Sequence, residues 1–269
     1  VAAHTESIRL GSGGVMLPNH SPLVIAEQFG TLESLHPGRI DLGLGRAPGT
    51  DQNAMRAMRR NGESSDRFPQ DVRELQAYLS DERQVDGVTA TPGRGTKVPL
   101  YILGSPLFGA QLAAAFGLPF GFASHFAPDM LLQALEVYRS SYRPSKDWPK
   151  LHAMVGVNVV VADSDESAAW HFSSILQRFL GMQRGQRGPL PRPVDPATLK
   201  AMWSAQEWAG AQRMLAATAV GSPATVRRRL AGLVEQTAAD ELIVASAIFD
   251  PAARRRSYEL LASAVSLDS

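Results

Sequence analysis

The chain has 269 residues, 44% of them hydrophobic, with a formal net charge of +1 and no cysteine. That charge balance argues against a nucleic-acid binder held by phosphate contacts. The missing thiols exclude disulfides, thiolate metal centres and cysteine nucleophiles. No apolar run approaches the roughly 18 residues a membrane helix needs, and the start "VAAHTESIRLG" lacks the basic-then-apolar pattern of a secretory leader. The expectation is a cytoplasmic protein with no nucleic-acid or membrane partner.

In chain order, short apolar runs alternate with longer amphipathic ones. Ile8–Leu17 reads as a strand and Pro22–Leu35 as a helix with proline in its first turn. Arg39–Gly45 is a second strand, Phe68–Glu82 a helix, Pro99–Gly104 a buried strand, and Pro106–Gly117 a helix ended by glycine. Pro119–Ser124 and His152–Ala162 are further strands, with a helix over Pro128–Tyr142 between them and another from Asp163 to about Gln183. The Pro/Gly/Arg-rich segment 184–197 predicts an exposed loop. Helical pattern resumes over Thr198–Ala217 and again from Pro223. A last strand, Glu241–Ala247, precedes a final helix. Six strands, each followed by helix and none by a hairpin signal, predict an α/β domain with a parallel sheet covered by helices. A doubly wound sheet and a (β/α)8 barrel both accommodate the pattern. Six units are two short of a barrel, so the barrel reading places the first two βα units before Val1.

Three strands carry small residues. In "RIDLGLG" the alternation sets Ile40, Leu42 and Leu44 on one face and Asp41, Gly43 and Gly45 on the other. "FGFASH" repeats the pattern, with Gly121, Ala123 and His125 sharing a face, and "LGSGGVML" adds Gly11, Gly13 and Gly14. Glycine in one strand marks a bulge or bend. In three strands, clustered at the carboxyl ends where α/β folds bind ligands, it predicts room for a flat ligand.

The stretch "DLGLGRAPGTD" is neither of the usual phosphate loops. The dinucleotide fingerprint needs a third glycine where Pro48 stands, and a P-loop needs a lysine that Gly49-Thr50 lacks. What remains is Arg46 at the end of a strand, either a bidentate phosphate ligand or an ordinary salt-bridged arginine. A second anion site is expected at "LGSPLFGAQ", where Gly104 allows close backbone approach, Ser105 caps the helix and Pro106 occupies its first turn; plain capping accounts for the same residues. None of the six histidines has metal-ligand spacing, so no metal is expected. His125 is the foremost catalytic or cofactor-contacting histidine and His20 the second candidate; His36, His152 and His171 read as structural.

The block "IRLGSGGVMLPNHSPLVIAEQFGTLESLHPGRIDLGLGRAPGTDQ" strongly resembles the bacterial luciferase-like flavin-dependent monooxygenases, and the similarity runs on through "LGSPLFGAQLAAAFGLPFGFASHFAPDML" and "ADELIVASAIFDPAARRRSYELLA". The resemblance implies a single (β/α)8 TIM-barrel domain over 1–269, N-terminally incomplete, that binds FMN at its strand ends and forms a homodimer. It implies flavin-phosphate contacts from Arg46, Gly104 and Ser105, and a non-proline cis peptide at Gly13-Gly14 beneath the flavin ring. The family's histidine-bearing motif at its second strand has no counterpart here, since His4 precedes the first strand found. The catalytic acid or base is therefore left unnamed. The expected activity is oxidation of a small organic substrate by reduced FMN and dioxygen, the reduced flavin coming from a separate reductase. A deazaflavin-dependent oxidoreductase and a non-catalytic flavin-binding protein are the alternatives.

Overall fold

Apolar strands and amphipathic helices alternate as the residue pattern implies, in a computed structural model that describes residues 1–47, 52–59, 63–81, 85–186 and 188–265. The elements are β1 (Leu10–Met16), α1 (Pro22–Leu35), β2 (Ile40–Gly45), the short α2 (Gln52–Ala57) and α3 (Glu63–Asp66), α4 (Phe68–Leu79), β3 (Leu100–Gly104), α5 (Leu107–Phe116), β4 (Phe120–Phe122), α6 (Leu131–Ser141), β5 (Ala153–Val161), α7 (Asp165–Gln183), α8 (Pro196–Ala201), α9 (Ala205–Met214), β6 (Thr218–Gly221), α10 (Pro223–Thr237), β7 (Glu241–Ala245) and α11 (Pro251–Ala264). The chain divides into two units, one of Val1–Gly121 with Glu136–Leu151 and one of Phe122–Leu135 with His152–Ser269.

In the first unit, β1 pairs with β2 and β2 with β3, both parallel, so their carboxyl ends emerge at one edge. Ile40, Leu42 and Leu44 of β2 are buried. Helix α4 buries Phe68, Val72, Leu75 and Leu79, the i, i+4, i+7, i+11 spacing of one helix face. Two arginines tie down the chain start. Arg9 donates to both carboxylate oxygens of Asp41, at 2.6 and 2.9 Å, and Arg39 donates to the Thr5 carbonyl at 2.6 Å and the Ile8 carbonyl at 2.9 Å. Asp41 is thus committed to Arg9 rather than to a ligand. Helix α5 ends at Gly117, whose left-handed conformation (φ 61°) is the one glycine adopts at least cost.

Gly43 corrects the expectation of a roomy glycine face. It is buried, and a Cβ there would collide with the Ser12 carbonyl oxygen and lie 2.7 Å from Leu103 Cδ1. Its missing side chain lets three strands close up, and the space is filled by protein. Gly45, one step nearer the edge, is open, its nearest neighbour being the Val15 carbonyl oxygen at 3.9 Å. Strand β1 carries one extra residue between its Ser12 and Val15 pairings, a bulge at Gly13-Gly14.

In the second unit, all nine residues of β5 are buried. Its first half pairs in parallel with β7 and its second half with β6. Val157, Val159 and Val161 pack with Val226, Leu230 and Leu261 in one cluster, and Val160 with Leu176, Leu180 and Leu199 in another. Strand β6 is a seventh strand that the six-strand reading misses. Its four residues are too short to show a period and are set by pairing with Asn158–Val161. The stretch expected to be helical over Thr198–Ala217 breaks in two, because Ser204 and Glu207 form a reciprocal capping box that starts α9 afresh. The expected 184–197 loop is shorter by two residues, since Asp195 caps α8 through Thr198 N–H at 2.8 Å. Its described residues are anchored: Val194 N–H donates to Ser173 Oγ at 2.8 Å, and Gln177 Nε2 to the Arg192 carbonyl at 2.8 Å. Among the described residues no helix is long and apolar enough to cross a membrane.

The two kinds of glycine should respond oppositely in urea unfolding. Gly43→Ala forces the strands apart and should lose about 1–3 kcal/mol of stability. Gly232→Ala, in an exposed turn of α10 with nothing within 4 Å of the added methyl, should gain about 0.5–1 kcal/mol.

Candidate functional site

The carboxyl edge of β1–β3 gathers the first set of sequence-predicted residues. Register opposes Gly45 to Met16 on one side and to Leu103 on the other. Arg46 therefore leaves β2 beside the Gly104-Ser105 end of β3, one strand spacing (about 4.8 Å) away. The peptide between Gly13 and Gly14 is cis, at the position the resemblance assigns to it. Gly13 is open on its Cβ side, whereas a Cβ on Gly14 would meet the Gly43 carbonyl oxygen and Leu103 Cδ1, each at 2.8 Å.

Among the described residues, Arg46 makes three contacts of different kinds. Its Cζ lies 4.4 Å from the centre of the Phe108 ring, its Nε donates to the Ser65 carbonyl at 3.0 Å, and its Nη2 pairs with Asp66 Oδ1 at 3.0 Å. Phe108 belongs to the first turn of α5, so the stacking seats the guanidinium beside a helix N-terminus. One detail of the expected cap is wrong. Ser105 does not cap α5; Pro106 is the cap residue, and no side chain receives the first-turn N–H groups. The start of α5 therefore lacks a side-chain cap on the turn that carries Phe108. Pro48–Asp51, the rest of the glycine-rich stretch, lie outside the described residues.

In the second unit, His125 follows β4. Its imidazole packs edge-on against Phe126 with centroids 4.6 Å apart. The ring lies against Gly156 of β5, where a Cβ would collide with Nδ1. Asn158 Nδ2 donates to the His125 carbonyl, and the fully buried Ser124 donates through Oγ to the Gly156 carbonyl. The backbone around His125 is therefore fixed, while its buried Nδ1 has no hydrogen-bond partner. Burial pushes the His125 pKa down, so the ring is neutral near neutral pH.

Of the remaining histidines, His20 is exposed at the end of a 3-10 turn, its backbone N–H bonded to the Leu17 carbonyl. His152 pairs with Glu241 at 3.1 Å, linking β5 to β7, which bears out a structural role. Three site residues escape the sequence reading. Asn158 carries a visible signal, a lone amide inside the apolar run "VGVNVVV". Phe108 and Asp66 carry none, because only the fold brings them to Arg46.

Comparisons with known proteins identify the family and the fold. The sequence model of the luciferase-like monooxygenases matches residues 1–241. A luciferase-like monooxygenase of Escherichia coli strain K12 is 51% identical over 261 residues, covering 97% of this chain and 77% of that protein. The crystal structure of apo-MsnO8 superposes with a TM-score of 0.84 at 34% identity, over 99% of this chain and 80% of that one. Two remoter structures share the fold alone. One is the oxygenating constituent of 3,6-diketocamphane monooxygenase from Pseudomonas putida in complex with FMN (TM-score 0.65, 19% identity, 97% and 79% covered). The other is an F420-dependent secondary alcohol dehydrogenase with an F420-acetone adduct (TM-score 0.72, 12% identity, 98% and 81% covered).

The neutral imidazole has a measurable consequence. In the unfolded chain His125 takes up its proton near the ordinary value of 6.5; in the native state it does so at lower pH. Stability present above that value is therefore lost as pH falls through the window below 6.5. His125→Gln should flatten this loss in urea unfolding series run from about pH 7 to 5. The remaining slope comes in part from His171, whose pKa burial also lowers. An NMR titration should place the His125 ring midpoint below that of a free histidine; a midpoint at or above 6.5 would contradict the burial argument.

Proposed function

Because the chain belongs to the luciferase-like monooxygenase family, we propose that it is an FMN-dependent monooxygenase that uses reduced flavin and dioxygen to oxidise a small organic substrate. The observation that carries the reading is the placement of Arg46, a partly exposed guanidinium stacked on Phe108 where β2 and β3 end together. That donor set fits a phosphate monoester: a planar cation able to bind two oxygens, flanked by helix N–H groups without a side-chain cap. The cofactor supplies the redox and dioxygen chemistry.

The residues divide the remaining work. Arg46 anchors the phosphate, and Gly104 and Ser105 bring backbone close to it. Gly13-Gly14 offers a side-chain-free surface for the ring system. His125, in the second unit, is neutral, and its Nδ1 can give or take a hydrogen bond without a change of charge. The reading includes a (β/α)8 barrel whose first two βα units lie outside this sequence, a homodimer, and a separate reductase that delivers reduced flavin.

A second reading, a deazaflavin-dependent oxidoreductase, draws on the F420 complex that shares the fold. A third, a flavin-binding protein without catalysis, is separated by activity alone. Flavin fluorescence titrations with FMN, riboflavin and a deazaflavin decide among them. Arg46→Ala should weaken FMN binding by about 1.5–3 kcal/mol, the worth of a charge-assisted contact, and leave riboflavin binding unchanged. Unchanged FMN affinity would remove Arg46 from the phosphate site. Binding of deazaflavin without FMN would select the second reading. Tight FMN binding with no substrate-dependent oxygen uptake would select the third.

A further inference from the structure

We propose that Asp66 is a stand-in counter-ion for Arg46, which an incoming phosphate displaces, so that the aspartate sets the affinity of the site. The inference rests on the phosphate reading of Arg46. Its basis is the unequal strength of the three contacts that Arg46 makes. The stacking on Phe108 and the bond from Nε to the Ser65 carbonyl fix the plane and direction of the guanidinium without neutralising it. Asp66 alone of these partners brings charge, and its side chain is 76% exposed against 42% for Arg46. An ion pair so open to water is weak and exchanges readily.

A second arginine in the protein shows what a permanent pair looks like. Arg184 also sits over an aromatic ring, 3.9 Å from Trp203, and also pairs with a carboxylate, Glu207. Glu207, however, is gripped at both oxygens, at 2.6 and 2.9 Å, and accepts in addition from Ser204 N–H and Ser204 Oγ at 2.9 and 2.7 Å. Its side chain is 22% exposed, and these donors, Arg184 foremost, hold its pKa at about 2. Removing Glu207 from Arg184 would break the cap of α9 as well. Removing Asp66 from Arg46 returns a carboxylate to water and leaves the guanidinium held by Phe108 and Ser65. A phosphate monoester, with close to two charges and three acceptor oxygens, is the stronger partner for the vacated donors.

The test is fluorescence titration of Asp66→Asn, a nearly isosteric change that leaves the hydrogen bond available and removes the charge. FMN should bind roughly two- to fivefold tighter, the range set by an exposed ion pair. Riboflavin affinity should not change, and the gain should vanish when Asp66→Asn is combined with Arg46→Ala. Weaker FMN binding would show that Asp66 positions Arg46 instead of competing for it, and would overturn the proposal, as would an unchanged affinity. An equal gain with riboflavin, or one that persists in the Arg46→Ala background, would also overturn it by revealing an effect that does not run through the contact between Arg46 and the phosphate. If Arg46→Ala leaves FMN binding untouched, the phosphate reading falls first, whatever Asp66→Asn does. Matching urea midpoints for wild type and Asp66→Asn ensure that a change in affinity is not a change in folding.

Discussion

The close approach of β1, β2 and β3 at Gly43 is the constraint on which the first unit's site depends. Parallel ladders fix the register of neighbouring strands but leave the separation of their side-chain faces to whatever must fit between them. At Gly43 nothing intervenes, and Ser12 of β1 and Leu103 of β3 close over it. Ser12 Oγ also donates to the Gly43 carbonyl at 2.9 Å, a side-chain latch across the same point. Two residues on, Gly45 is open and Arg46 turns out of the strand. A bulkier residue at 43 would shift β1 or β3, and with them the relation between the Gly13-Gly14 peptide, Arg46 and the start of α5.

The electrostatics of that edge follow from what has been withheld. Asp41, on the same strand as Arg46, is bound by Arg9 near the opposite end, so it does not compete for the outgoing arginine. Helix α5 begins without a side-chain cap. A capping aspartate there would contribute stability but would also place a fixed negative charge beside Arg46. The charge of Arg46 is instead met by Asp66 at the end of α3, a carboxylate largely open to solvent.

How much of this was legible in the sequence varies with the range of the interaction. The strands and most helices are written in local periodicity: the 68, 72, 75, 79 face of α4, the continuous apolar run of β5, Gly117 closing α5. Arg46 and Gly104-Ser105 were recognisable because each sits at the end of a readable strand, and parallel pairing then makes them neighbours. Gly43 was misread. Alternation correctly told which face it is on, but not whether that face meets a ligand or a backbone, which depends on where the next strand lies. Strand β6 was missed for a related reason, since four residues acquire strand geometry only by pairing with β5. Asp66 and Phe108 lie 20 and 62 residues from Arg46 in number and show no pattern that links them to it. A cation's partners are decided by the fold, and single-sequence reasoning has no access to them.

The two foremost candidate residues differ in what each can contact. Arg46 is a partly exposed guanidinium, and its exposure keeps open which anion it holds. His125 is surrounded by carbon and by backbone whose own hydrogen bonds are made elsewhere: Asn158 holds its carbonyl, Ser124 holds that of Gly156, and Phe126 supports the ring. Removing these supports would lower the order of the ring, yet none of them pairs with Nδ1. A half-buried neutral imidazole with one unpaired nitrogen is poorly suited to a phosphate, which favours the charged form that burial opposes. It is well suited to a neutral polar group, to which it can give or from which it can take one hydrogen bond without a change of charge.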